Sequence, residues 1–100
     1  MSSHLTVGVM RFVMHLPDSG SLKSKRQVVS GLLRRMRQEL KVAVAEVGEQ
    51  DRWQLAEIGV TCVSGDSRHA DEMLAKALLF VERHADGTQI VDVKTELIRL

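Results

Sequence analysis

Two helical stretches, with apolar residues recurring every three or four positions, are set among four extended runs in the order β-α-β-β-α-β. Turn and capping residues stand at the junctions. Together these predict an α+β domain with a four-stranded antiparallel sheet and both helices on one face. This is the split βαβ, or ferredoxin-like, arrangement. One hundred residues suffice for one such domain with a real core and leave no room for two, so residues 1–100 are read as a single domain.

Leu5 to Leu16 alternates as a strand does. Met10, Phe12, Met14 and Leu16 share one face; Val7, Val9, Arg11, Val13 and His15 share the other. Pro17-Asp18-Ser19-Gly20 is turn chemistry, and Ser21 is an N-cap residue. From Leu22 to about Leu40, Leu22, Val29, Leu32, Leu33, Met36 and Leu40 keep helical spacing, giving an amphipathic helix of about five turns. Val42 to Val47 is the second strand. Trp53 to Val63 is the third, with Ile58, Val60 and Cys62 on one face. Ser64-Gly65-Asp66 ends it and caps a second helix, whose apolar stripe is Ala70, Met73, Leu74, Ala77, Leu78 and Val81. Asp71 and Glu72 are expected in that helix's first turn, Asp86-Gly87 stops it, and Ile90 to Leu100 is the last strand. The sheet face opposite the helices is then open and shows Val7, Val9, Val13, Trp53, Leu55 and Ile90, with Arg11, Glu57, Asp92, Lys94 and Glu96 among them. Such an apolar surface suggests a partner, first of all a second copy of the chain.

Composition narrows the function classes. Apolar residues make up 44% and charged residues 27%, and the net charge is only +1, so any basic surface must arise from local segregation. One cysteine, Cys62, allows neither an internal disulfide nor a Cys-x-x-Cys site and fits a reducing compartment. Met1-Ser2-Ser3-His4 lacks a signal-peptide pattern, and no apolar run approaches the roughly 20 residues that span a bilayer. A cytoplasmic location with no membrane contact is expected.

Ser21-Leu22-Lys23-Ser24-Lys25-Arg26, Ala45-Glu46-Val47, Asp51-x-Trp53-Gln54 and Ser64-Gly65-Asp66, in this order, resemble the bacterial YlxP-like family over essentially the whole chain. The resemblance implies a ferredoxin-like domain of unknown function. It also implies a translation-linked setting, because members are often encoded beside ribosome-maturation genes. No catalytic residues come with it.

The first of those blocks is also the most unusual in physical terms. A helix N-terminus carries partial positive charge, and each cation there costs on the order of 0.3–1 kcal/mol when exposed. Lys23, Lys25 and Arg26 occupy that turn. An anionic partner would offset the cost. At about 100° per residue, Lys23, Arg26, Arg34, Arg37 and Lys41 lie within roughly 80° of one another, a stripe able to follow a phosphate backbone or to serve as an ordinary solvated face. Arg35 projects elsewhere. Lys25 lies nearer the apolar face; it either snorkels past the helix end or turns inward to a carboxylate or anion.

Other chemistries find little support. His4, His15, His69 and His84 are scattered without zinc-ligand spacing, so no metal site is expected. Asp66, His69 and Asp71 read as capping residues, and a Ser64-His69-Asp66 set as coincidence. Without Asn, and without Arg in the Pro17–Gly20 loop, acylphosphatase-type chemistry is excluded. No nucleotide fingerprint, cofactor site or stacked-aromatic RNA platform occurs. The leading reading is a non-enzymatic module that docks structured RNA or a ribosome-assembly particle through Lys23, Lys25, Arg26, Arg34, Arg37 and Lys41. The alternative is a homodimeric protein-interaction module that uses Val9, Val13, Trp53 and Leu55 of the open sheet face. A small-ligand regulatory domain is a third class, suggested by the fold alone.

Overall fold

A computed structural model of the protein describes residues 4–85 and 87–100; the residues before His4, and the Asp86 half of the expected helix stop, lie outside the described residues. The elements run β1 (Thr6–His15), α1 (Leu22–Glu39), β2 (Ala43–Gly48), β3 (Leu55–Ser64), α2 (Ser67–His84) and β4 (Gln89–Arg99). The four strands form one antiparallel sheet in the order β2-β3-β1-β4. This is the ferredoxin-like α+β fold that the sequence predicts.

The caps explain where the helices begin. Ser21 is extended (φ −163°, ψ 164°), and its Oγ accepts from the Ser24 backbone N–H at 3.0 Å. The Asp66 carboxylate likewise accepts from the Arg68 N–H at 2.9 Å. Because α2 starts at Ser67, Asp71 and Glu72 fall beyond its first turn, which contains no acid. Gly87 adopts the left-handed conformation (φ 76°) beyond the end of that helix.

The core lies between the sheet and both helices. Met10, Phe12, Met14 and Leu16, together with Ala56, Ile58, Val60 and Cys62, meet Val29, Leu32, Leu33 and Met36 of α1 and Ala70, Leu74, Ala77 and Val81 of α2. Gly8 permits the close approach of α2: a Cβ there would stand 2.9 Å from Cys62 Sγ and 3.0 Å from Leu74 Cδ1.

Two irregularities change what the open face displays. In β4, Arg11 pairs with Lys94 and Val13 with Val91, so two residues oppose Phe12 alone, and Asp92 takes φ 54°. A bulge of this kind inverts the alternation beyond it. Ile90, expected on the open face, instead pairs with Met14 and packs against the core, while Val91 takes the open side. In β2 the register shifts between Glu46 and Gly48, and Glu49 after it has φ 60°. β3 begins at Leu55, so Trp53 belongs to the preceding bend rather than the strand; it is 55% exposed at one end of the sheet, beside His15 and Leu55.

Candidate nucleic-acid interface

Helix α1 turns Val29, Leu32, Leu33 and Met36 to the sheet, and this fixes the direction of its charges. Lys23, Arg26, Arg34 and Arg37 are exposed along the flank beside that apolar stripe, whereas Lys41, expected in the same stripe, is exposed past the helix end because Leu40 is already extended (φ −122°, ψ 150°). Four of these five cations reach into solvent without an ion-pair partner among the described residues. The fifth, Arg37, lies in the last turn, where a cation suits the helix dipole, and its Nη2 donates to the Val44 carbonyl at 2.8 Å. Arg37 therefore ties α1 to β2 as well as contributing charge. Arg35 is exposed on a different side of the helix.

Lys25 does not join this surface. Its side chain is 0% exposed, Nζ donates to the Glu49 carbonyl, and Nζ lies 3.0 Å from Glu46 Oε2. Of the two directions open to it, Lys25 takes the inward one, toward a carboxylate. Glu46 is placed for this by pairing with Ile58, whose side of the sheet faces the helices. Its Oε2 is buried and has no aligned hydrogen bond, so the contact with Lys25 is a pure ion pair. The partner was not foreseeable from spacing, since Glu46 lies on a short strand with weak alternation.

The charge distribution across the chain is strongly uneven. Residues 22–41 hold seven of the 14 Lys and Arg residues but only one of the 13 Asp and Glu, namely Glu39. Elsewhere seven cations face twelve anions. A chain of net charge +1 is thus divided into a basic helix and an acidic remainder.

On the open face, Val9 and Val13 lie at the centre on β1, with Leu55 at the end of β3 and Trp53 just beyond it. Arg11 stands among them, with Nη1 3.4 Å from Glu57 Oε1 and 3.8 Å from Asp92 Oδ2. Toward β2, the small residues Ala43, Ala45 and Gly59 leave a shallow apolar depression of about 280 Å³ bordered by Val9 and Val47.

The possible catalytic and metal sets do not assemble. Ser64 Oγ meets His69 Nδ1 at 3.2 Å, but the Asp66 carboxylate is engaged in capping α2 and does not orient the imidazole. Among the described residues, no group of three or more His, Cys, Asp or Glu side chains could hold a metal ion. Cys62 is buried, and burial raises its thiol pKa above the ordinary value, which disfavours the reactive thiolate. No described helix is long and apolar enough to cross a membrane.

The family profile described as a protein of unknown function, DUF503, matches residues 7–95. The chain belongs to the DUF503 family. A curated relative, the uncharacterized protein YlxP of Bacillus subtilis (strain 168), is 35% identical over 65 residues, covering 65% of this chain and 71% of that protein. Among solved structures, the de novo designed protein Foldit4 superposes with a TM-score of 0.52 at 15% identity, covering 91% of this chain and 96% of that one. That likeness concerns the fold alone. DUF503 membership agrees with the YlxP-like resemblance of the sequence blocks and assigns no activity.

Proposed function

We propose that this DUF503 protein is a non-enzymatic docking module that binds structured RNA, of the kind found in ribosome-assembly particles, through the outer flank of α1. The observation carrying this reading is the charge segregation: half the chain's cations lie within twenty residues, and Lys23, Arg26, Arg34 and Lys41 face solvent without ion-pair partners among the described residues. At 1.5 Å per residue, Lys23 to Arg37 extend over about 21 Å of helix, with Lys41 just past its end, a length that meets several successive phosphates. Base stacking contributes little to such a contact. Phe12 is buried, Phe80 stacks on His84 at 4.1 Å, and Trp53 lies off the helix. Recognition is therefore by the phosphate backbone and by shape.

Four or five phosphate contacts give a slope of log K against log salt of about −3 to −4.5, or roughly a hundredfold loss of affinity from 50 to 200 mM. Fluorescence anisotropy with a labelled structured ribosomal RNA fragment measures this. Replacing Lys23, Arg26, Arg34 and Lys41 together by Ala abolishes most of the binding and flattens the slope, whereas Arg35→Ala has a smaller effect. Salt-insensitive binding, or unchanged affinity in the fourfold variant, refutes the proposal.

A further inference from the structure

The open sheet face is untouched by the proposed RNA contact and carries several exposed apolar side chains. Val9, Val63, Val91 and Ile98 expose 37–63% of their surfaces there. Nearly every residue of the eleven-residue β4 is exposed, with only Ile90 and Leu97 partly covered.

We propose that two copies of this chain pack face to face through this surface, about a two-fold axis running along the strands. Size is the first argument. Four strands of ten, six, ten and eleven residues, about 4.8 Å apart and about 3.3 Å per residue, present roughly 590 Å² in plan. The corrugated surface is larger than its plan, so it approaches the roughly 800 Å² per partner of a standard stable interface. Charge is the second. Arg11 is neutralised within its own chain by Glu57 and Asp92, and Lys94 stands two residues from Glu96. Such a face meets its own copy without strong repulsion, whereas its slight acidic excess repels RNA. Shape is the third. The β2–β3 flank is lowered by Ala43, Ala45 and Gly59, while the β4 flank carries Val91 and Ile98. The two-fold operation lays each copy's β4 flank over its partner's β2–β3 flank, an isologous match.

Analytical ultracentrifugation decides the matter. The wild-type protein is expected at about twice 11.2 kDa. Val9→Glu and Val91→Glu, both at exposed positions, are expected to weaken association by at least about tenfold, as charge does at an interface centre. Leu79→Glu, on an exposed position of α2, leaves the dimer intact. Should neither face variant fold, the wild-type Tm serves instead: it rises with protein concentration for a native dimer. A wild-type monomer at high micromolar concentration leaves the face for a different partner and overturns the proposal. So does a folded Val9→Glu dimer of unchanged affinity, or a Tm independent of concentration. RNA affinity unchanged by Val9→Glu keeps this result separate from the α1 reading.

Discussion

Replacing Lys25 by Met tests the buried ion pair that fastens the start of α1 to the end of β2. At the 3.0 Å separation of Nζ and Glu46 Oε2, the attraction is about 5 kcal/mol at an effective dielectric constant of 20. Taking each ion out of water costs several kcal/mol, so the pair as a whole adds little net stability. Removing one member is different. Lys25→Met preserves the volume and apolar stem but leaves the buried Glu46 oxygen facing no cation, a loss of about 3–5 kcal/mol. That is a large share of the roughly 5–15 kcal/mol expected for a domain. Lys25→Met with Glu46→Leu removes both charges and restores stability to within about 1–2 kcal/mol of wild type, or above it. Urea denaturation followed by circular dichroism, at one fixed protein concentration, reads both variants; with a slope of about 2 kcal/mol/M, the single change lowers the midpoint by about 2 M. A midpoint for Lys25→Met within about 0.5 M of wild type contradicts a desolvated pair. A double variant no better than the single one shows that the stranded carboxylate is not the cause. Because Lys25 is buried and does not join the flank proposed to bind RNA, the double variant is expected to keep whatever RNA affinity the wild type has.

Two further outcomes concern the core. Gly8→Ala forces a methyl group against Cys62 Sγ and Leu74 Cδ1 and destabilises by about 1–3 kcal/mol, read as a lower thermal midpoint; Gly31→Ala, with open space around it, does not. The raised pKa of Cys62 means the unfolded chain loses its thiol proton first, so this group's contribution is constant below the ordinary thiol pKa of 9.0 and stability declines as pH rises above it. Cys62→Ser, compared with wild type in urea melts between pH 8 and 10.5, removes that decline; a decline unchanged by the substitution contradicts the assignment.

The features readable from sequence are those set by local chemistry. Ser21 and Asp66 announce the helix starts through their own side chains. Met10, Phe12, Met14 and Leu16 announce the core face of β1 through simple alternation. Alternation fails in β4 because Asp92 takes φ 54° without a glycine to mark it, and the parity beyond the bulge inverts, carrying Ile90 from the open face to the core. The site was legible in the same uneven way. Angular position alone sets Lys25 apart from the other cations of α1, since it falls near the apolar stripe. What awaits it there is a carboxylate from β2, a pairing created by sheet register and absent from any local spacing. Arg37 is similar: its helical angle places it in the basic stripe, but its bond to the Val44 carbonyl follows from how closely α1 passes β2.

The most direct test of the central claim is ultraviolet crosslinking of the protein to RNA in cells, with the crosslinked peptides mapped by mass spectrometry. Crosslinks concentrated within residues 22–41 are the predicted result. Crosslinks on the open sheet face, or no RNA attached at all, would contradict a docking role for α1.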